Sequence, residues 1–372
     1  MRTPRRLALA AAALALPVLA GVPAHADTPA TVGGEQLASH GLVTPPEAPR
    51  LPATVAASWL VADLDTGDVL AAKDPHGRYA PASTLKTLTA ETLIPKLDPS
   101  MMVTPTWDDV NVDGSKVGLV TSVRYPVSEL FRSMLVVSGN DAALALATAN
   151  GGLGKTVHEM NLEAQRLQAT DTVAVNDNGL DAVGQHSSAY DLALIARAGM
   201  QLPDFRAYVA TKHAHIRGAK RNAPIAISTH DKLLYNYPGA IGIKNGFTVA
   251  ARATFVGAAT RNGHTLVVTL MKTAPRYWPE AAALLDWGFK AKAAGVTPVG
   301  ELVAPLDPVT PNPSSTPAAP VRAQQVTKVS TTSSRGFPLL PAAVVGAGLA
   351  VMGSGVVRSR RRGRRKMKLP PI

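Results

Sequence analysis

The order of apolar periodicities along the chain restricts the folds that its 372 residues can adopt. Residues 58–73 contain two short apolar runs, SWLVADL and DVLAAK, and the turn sequence DTG between them predicts a β-hairpin. Residues 83–201 carry apolar side chains at helical spacing. After Phe205 the pattern alternates, and a final helix covers 277–292. This order predicts an α/β layered domain, an antiparallel sheet with flanking helices plus a helical subdomain.

The same periodicities predict the bounds of the individual helices and strands. The predicted helices cover 83–97, two stretches of 127–150 separated at SGND, 154–169 and 187–201. Asp141 is expected to cap the second helix of 127–150. The predicted strands after the helices are 205–217, 223–229, 240–248, 253–263 and 264–273, each rich in β-branched residues or bounded by glycine and Asn-Gly.

Both ends of the chain have the features of targeting segments. Residues 1–26 combine a basic start, an apolar run and the small-residue exit AHA, which predicts a cleaved secretory signal peptide. Residues 337–357 contain no charge and are long enough to span a membrane, and the basic tail 358–372 is expected to stay in the cytoplasm. Between the ends, 27–52 is interpreted as an N-terminal arm and 295–336, rich in Pro, Ser and Thr, as an extended linker.

Charge and cysteine content narrow the classes of function. The net charge of +12 arises at the ends, since three cations lie in the first 26 residues and eight follow Val357. The remaining chain is close to neutral, which argues against a nucleic-acid-binding face. The chain contains no cysteine, so it has neither a thiol nucleophile nor a disulfide, and its body must be stabilised by an apolar core.

The segment PASTLKTLTA places Ser83 three residues before Lys86 without an acid between them. At this spacing on a helix both side chains lie on one face. A serine hydroxyl becomes a nucleophile when a base takes its proton, and a lysine can be that base if burial or a second cation lowers its pKa. Lys244 in AIGIKNGFT is a candidate second cation, and Gly246 beside it allows a ligand to approach the strand. VVSGNDAA adds Ser138 and Asn140, which could relay a proton and hold the lysine.

Each motif alone has an ordinary interpretation, as a helix residue, a turn or a solvated strand lysine. The three motifs in this order are typical of class A β-lactamases and penicillin-binding proteins. Over residues 53 to 290 the sequence resembles the serine-type D-alanyl-D-alanine carboxypeptidases, the low-molecular-mass penicillin-binding proteins. APASTLKTLTA, VSELFRSMLVVSGNDAALALA, VNDNGLDAVGQHSSAYDLALIAR, LLYNYPGAIGIKNGFT and ATFVGAATRNGHTLVVTLM carry the resemblance. It implies a β-lactamase/transpeptidase-like catalytic domain at 53–294.

The resemblance also implies roles for the site residues. Ser83 would be the acyl-ester nucleophile and Lys86 the general base, with Ser138 as proton relay beside Asn140. Substrate binding would involve residues of the strand that carries Lys244, which are Lys244, Asn245, Gly246, Phe247 and Thr248. The backbone N–H groups of Ser83 and Phe247 would form the oxyanion hole. The implied partners are a peptidoglycan stem peptide ending in D-Ala-D-Ala, β-lactams as acylating inhibitors, and the membrane through the C-terminal helix; no cofactor or metal is implied.

Several alternatives remain open at this stage. The family usually reads K-T-G where this chain has Lys244, Asn245 and Gly246, and this departure is expected to change substrate preference or to weaken turnover. A β-lactamase on the same fold is a second hypothesis, although VNDNGLDAVGQHS lacks the glutamate expected after S-x-N. A non-catalytic cell-wall-binding relative is a third. A metal site at His213 and His215 lacks a third ligand, and two other acids, Asp177 and Asp181, are interpreted as loop-capping residues.

Overall fold

A computed structural model of the chain describes residues 31–220 and 223–307. The predicted signal peptide, membrane span and basic tail lie outside these ranges. Within them, no helix combines the length and apolar character needed to cross a membrane.

An antiparallel sheet forms the centre of the described domain. Its seven strands follow the order β1-β3-β2-β10-β9-β8, with β11 paired to β3 beside β1. The β8 strand therefore lies at one edge of the sheet. The strands of this sheet are Leu42–Val43 (β1), Ser58–Asp63 (β2), Asp68–Lys73 (β3), Ala240–Thr248 (β8), Arg252–Arg261 (β9), His264–Thr273 (β10) and Gly300–Glu301 (β11).

Smaller strands and the helices surround this sheet. Two hairpins lie apart from it, Met102–Val103 (β4) with Tyr125–Pro126 (β5), and His213–Ile216 (β6) with Ile225–Ser228 (β7). The α-helices are Lys86–Leu93 (α1), Trp107–Val110 (α2), Val127–Val136 (α3), Asn140–Ala149 (α4), Leu153–Arg166 (α5), Ala189–Gly199 (α6), Pro203–Val209 (α7), Leu233–Asn236 (α8) and Trp278–Ala294 (α9). The predicted combination of an antiparallel sheet, flanking helices and a helical subdomain is confirmed.

Strand alternation divides the core into two layers. Successive side chains of a strand point to opposite faces of the sheet, and β2 is buried throughout. Leu60 and Ala62 pack in the larger apolar cluster with α1, α3, α4 and α6, whereas Trp59 and Val61 pack in a second cluster with α9. Burial on both faces explains why SWLVADL reads as a nearly continuous apolar run.

One predicted strand is wrong in part. Residues 205–217 were expected to be extended, but the first half belongs to α7 and only β6 is a strand. Pro203 occupies the first turn of α7, where its missing N–H needs no partner. Phe205, Tyr208 and Val209 are buried at helical spacing, so the helical period prevailed over the β-branched composition.

The packed domain extends on both sides of the predicted 53–294. Leu37 is fully buried, and β1 adds to the edge of the sheet, so the predicted arm packs against the body. On the other side, Glu301 N donates to Gly33 O (2.9 Å) and Leu302 N donates to Gly67 O (2.7 Å). The first residues of the predicted linker thus complete the sheet.

Candidate active site

Ser83 lies on a single turn of 3₁₀ helix, Ala82–Leu85, that leads directly into α1. Ala82 has a φ of +48°, a left-handed conformation that a non-glycine residue adopts only under strain. Two glycines pack against this backbone. A Cβ on Gly179 would overlap Ala82 O, and a Cβ on Gly246 would lie 2.7 Å from Ser83 N. Both positions need glycine because the chain approaches Ser83 so closely.

Lys86 is fully buried and directly contacts the serine. Its Nζ lies 2.9 Å from Ser83 Oγ, 2.7 Å from Asn140 Oδ1 and 2.7 Å from Asn178 O. A neutral amine has two N–H bonds and one lone pair. The two carbonyl oxygens can accept the two N–H bonds, which leaves the lone pair for the proton of the Ser83 hydroxyl.

The electrostatics around Lys86 favour that neutral form. Burial lowers the pKa of Lys86 well below its ordinary value, and the positive charge of Lys244 lowers it further. Asp177 and Asp141 act in the opposite direction. The lysine is thus a suitable proton acceptor near neutral pH.

Asn140 begins α4, directly after the break that follows α3. Besides its contact with Lys86, its Nδ2 donates to Asp113 O and its backbone N–H donates to Ser115 O, both at 2.7 Å. Ser138 has a φ of +61°. Within the described residues its buried Oγ makes no hydrogen bond, including to Lys86, so its relay role stays a prediction.

Asp141 lies in the first turn of α4 and not at its N-cap, which is Gly139, and its Oδ1 accepts Ala142 N–H of that turn at 3.0 Å. The same buried carboxylate also accepts the backbone N–H groups of Val117 (3.0 Å), Gly118 (2.8 Å) and Leu119 (3.0 Å). These bonds hold the segment 113–119 against the start of α4, where it also contacts Asn140. Asp141 therefore positions one wall of the site.

The strand β8 brings the third motif to the opposite side. Lys244 is buried, and its Nζ donates to Asn245 O at 2.7 Å. Burial lowers the pKa of Lys244 to about 7, while the charge of Asp231 raises it. Asn245 is half-buried and lies opposite Phe255 in the ladder with β9. The other side of β8 has no neighbouring strand within the described residues, so its outward backbone groups are open to a ligand.

Phe247 and Thr248 end this strand. The Phe247 side chain is exposed, and its backbone follows Gly246, whose Cα faces Ser83 N. Thr248 Oγ1 donates to Asp181 Oδ1 at 2.7 Å. Asp181, interpreted from sequence as a loop-capping acid, thus ties its loop to the end of β8.

The loop 175–185 carries a functional group that the sequence analysis missed, the carbonyl of Asn178 bonded to Lys86. Asn176 Oδ1 accepts Gly179 N–H at 2.8 Å, and Gln185 Nε2 donates to Leu180 O at 2.7 Å. Gln185 Oε1 also accepts the N–H groups at the start of the loop. A backbone carbonyl has no residue signature, but Asn-Gly followed by a second amide was the available signal for a tightly turned loop.

The structure groups potential metal ligands at a different place from the His213 and His215 pair considered in the sequence. His213 Nδ1 lies 2.9 Å from Ser228 Oγ on the β6–β7 hairpin. The described residues instead contain one close group of potential ligands, His76, Asp171 and Asp191. His76 Nδ1 lies 2.7 Å from Asp171 Oδ2, and Arg78 also bonds to that carboxylate at 3.0 Å. An ion-pair network accounts for these contacts.

Comparisons with known proteins agree with this geometry. Residues 44–274 match the family model described as Peptidase S11, D-alanyl-D-alanine carboxypeptidase. D-alanyl-D-alanine carboxypeptidase DacB2 of Mycobacterium tuberculosis is 42% identical over 254 residues, covering 66% of this chain and 87% of that protein. D-alanyl-D-alanine carboxypeptidase DacD of Escherichia coli is 33% identical over 260 residues, and the match covers 65% of each chain.

Solved structures give the same result. A crystal structure of a D-alanyl-D-alanine carboxypeptidase from Mycobacterium tuberculosis is 40% identical, with a TM-score of 0.65, and the match covers 71% of this chain and 100% of that one. A DD-transpeptidase of Streptomyces is 26% identical, with a TM-score of 0.62, over 65% of this chain and 100% of its own. The chain therefore belongs to the D-alanyl-D-alanine carboxypeptidase family of serine-type peptidases.

Proposed function

We propose that this protein removes the terminal D-alanine from peptidoglycan stem pentapeptides through an acyl-enzyme on Ser83. The observation that carries the proposal is the buried Lys86, whose Nζ lies 2.9 Å from Ser83 Oγ while two carbonyl oxygens take its other hydrogen bonds. A solvated lysine would stay protonated at neutral pH, but burial beside a second cation favours the free amine.

Acylation begins when Ser83 Oγ attacks the carbonyl carbon between the two terminal D-alanines. Lys86 takes the hydroxyl proton, and the carbonyl oxygen becomes an oxyanion. The C–N bond then breaks, the nitrogen of the leaving D-alanine gains a proton, and an ester remains on Ser83. Ser138 is the proposed relay for that proton because it lies two residues before Asn140, which contacts Lys86.

Two features of β8 support transition-state and substrate binding. The close packing of Gly246 on Ser83 N supports an oxyanion hole formed by the backbone N–H groups of Ser83 and of Phe247, the residue after Gly246. Lys244 provides a buried cation for the terminal carboxylate, and Asn245 offers an amide donor where the family has a threonine hydroxyl. Thr248 is expected to line the same edge.

Deacylation reverses the proton transfers. Water attacks the ester carbon, Lys86 takes a proton from the water, and Ser83 Oγ leaves as the hydroxyl. The products are free D-alanine and a stem peptide shortened by one residue. A penicillin presents a strained amide to the same serine, and its acyl group stays attached when water attacks slowly.

The proposed location follows from the ends of the sequence. The signal-like segment 1–26 favours export, and the uncharged segment 337–357 followed by the basic tail 358–372 favours a single membrane anchor with the catalytic domain outside. Cell fractionation with protease protection of whole cells tests this arrangement. Digestion of the body in intact cells is expected; a protected body contradicts it.

Mass spectrometry tests the chemistry. The purified protein and its Ser83→Ala variant are incubated with a penicillin and, separately, with a stem pentapeptide. A penicilloyl adduct on Ser83, with D-alanine release that the variant lacks, is the expected result. Rapid loss of the adduct with penicilloic acid accumulating would favour a β-lactamase. No adduct and no release would favour a non-catalytic binding protein.

A further inference from the structure

The site contains two buried lysines with different tasks, and each has a buried carboxylate in its neighbourhood. Asp177 directly precedes Asn178, whose carbonyl contacts Lys86. Asp231 precedes α8, which packs against the strand that carries Lys244. Both aspartates are at most 2% exposed, and in each of them Oδ2 has no hydrogen-bond partner within the described residues.

Asp231 is fixed by backbone contacts rather than by a cation. Its Oδ1 accepts Leu233 N–H at 2.8 Å, and its own N–H donates to Thr229 Oγ1 at 3.1 Å. Within the described residues, no carboxylate oxygen lies within 4.0 Å of Lys244 Nζ. Burial raises the pKa of Asp231 to about 6, so its carboxylate is charged at neutral pH and acts on Lys244 without contacting it. The ammonium of Lys244 therefore remains available to a ligand.

On the basis of the proposed function, we propose that Asp231 is a positioning residue that keeps Lys244 cationic from a distance and so reserves its ammonium for the terminal carboxylate of the substrate. The two lysines of the site thus need opposite charge states. Lys86 must be neutral to accept a proton, whereas Lys244 must be charged to bind an anion. A carboxylate in direct contact with Lys244 would compete with the substrate.

The groups that face Lys244 determine the direction of the pH effect. Burial lowers the pKa of Lys244 to about 7, and Asp231 opposes that decrease. Lys86 lies nearby, but burial and the charge of Lys244 favour its neutral form, and His230 adds no charge at neutral pH because burial, Lys244 and Lys232 lower its pKa. If the charge of Asp231 is removed, the pKa of Lys244 falls, so the ammonium and its carboxylate binding are lost at a lower pH.

The test compares two substrates in the Asp231→Asn variant, from pH 5 to pH 9. One is an N-acylated peptide ending in D-Ala-D-Ala, and the other is the same peptide with a C-terminal carboxamide. For the carboxylate peptide, we expect KM at pH 7.5 to rise about tenfold and the pH midpoint of 1/KM to fall by about one unit. For the carboxamide, KM should stay within about twofold of the wild-type value.

Two results would overturn the proposal. One is an unchanged KM and midpoint for the carboxylate peptide, and the other is an equal loss for both peptides, which would indicate a structural role alone. Asp231→Ser provides a second neutral variant whose hydroxyl can still accept Leu233 N–H, and melting curves establish that each variant is folded. In the wild type, 1/KM for the carboxylate peptide must itself decline near pH 7; a flat profile to pH 9 contradicts the proposal without any variant.

Asp177→Asn is the matched comparison, because that carboxylate lies on the Lys86 side of the site. It is expected to move the pH dependence of kcat and to leave the ratio of KM values for the two peptides unchanged. Absence of both D-alanine release and penicilloylation in the wild type would refute the proposed function itself. That outcome differs from an active wild type in which Asp231→Asn has no effect.

Discussion

Lys86 Nζ and Asn140 Oδ1 lie 2.7 Å apart in a buried contact, although 54 residues separate them in sequence. The contact joins α1 to α4. Its acceptor is the neutral amide of Asn140, which has a size similar to that of a carboxylate but carries no charge. An amide accepts a hydrogen bond without adding charge, so it orients the lysine and leaves its pKa low. The ability of Lys86 to act as a base is therefore expected to depend on the absence of a charge on the side chain at position 140.

Asn140→Asp tests that requirement. The new carboxylate would favour the protonated form of Lys86 and raise its pKa by about 1–3 units. We expect D-alanine release at pH 7 to fall about 10- to 1000-fold and to recover as the pH rises, since the amine is regenerated above its new pKa. The pH profile of kcat/KM measures the shift. Asn262→Asp, in the exposed turn before β10, controls for an added charge, and an unchanged profile for Asn140→Asp would contradict the assignment of Lys86 as base.

Gly179→Ala tests the close approach of the loop 175–185 to Ser83. Gly179 has a φ of +84°, and an added Cβ would overlap Ala82 O. Gly184 is the matched control, because its φ is +85° and a Cβ there would meet no atom within 4 Å. We expect Gly184→Ala to lower the free energy of unfolding by about 1 kcal/mol with normal penicillin acylation. Gly179→Ala should slow acylation at least about tenfold, and equal acylation rates in the two variants would count against the contact.

Substitutions of Asn245 test the effect of its departure from the family motif. Asn245→Ala removes the side-chain donor, and we expect KM for the stem peptide to rise about tenfold with kcat nearly unchanged, as for one hydrogen bond to a charged group. Asn245→Thr should restore the low KM because the hydroxyl is also a donor. Steady-state kinetics of D-alanine release provides both constants. A KM that stays the same in Asn245→Ala would exclude the amide from substrate binding.

The buried Glu91 on α1 is expected to make the free energy of unfolding depend on pH. Burial, with Glu163 adding to it, raises the pKa of Glu91 from its ordinary value of 4.5 to about 9. The folded protein therefore holds this proton more tightly than the unfolded chain, and the associated stability is lost as the pH rises from about 4.5 towards about 9. We expect Glu91→Gln to reduce the loss of unfolding free energy between pH 5 and pH 9 by about 1–3 kcal/mol.

Urea titrations at pH 5, 7 and 9 measure this effect. Glu159→Gln is the contrasting variant on α5. Burial alone would raise the pKa of Glu159, but hydrogen bonds from Asn150 and Lys96 lower it below its ordinary value. The stability that the Glu159 carboxylate contributes is therefore lost only at low pH. If Glu91→Gln and the wild type lose stability in parallel, the buried carboxyl is not the source.

The sequence predicted the elements whose periodicity is strong and the contacts that are local. The hairpin β2–β3 and the strands β8 to β10 were predicted within a few residues, because alternation and Asn-Gly turns report strands directly. The Ser83–Lys86 contact was predictable because both residues lie on one helical turn. The helix α7 was missed because its aromatic and β-branched residues favour strands, while its burial pattern is helical.

The contacts that escaped prediction are non-local. Asn178 binds Lys86 through a backbone carbonyl, which any residue could supply. Asp177 was interpreted as a loop cap because a turn is the commonest environment for such an acid, yet its burial beside Lys86 depends on the packing of the whole domain. Asp231 gave no signal for the same reason. Its importance depends on a lysine thirteen residues away that folding brings near.

The hydrogen bond between Glu301 and Gly33 joins the N-terminal and C-terminal parts of the described domain at the edge of the sheet where β1 and β11 pair with β3. Five strand spacings of about 4.8 Å, roughly 24 Å in all, separate that edge from β8. The edge of the sheet that is expected to receive the substrate is therefore remote from the edge where the terminal parts of the described domain pair, so an extended peptide along β8 would leave that pairing undisturbed.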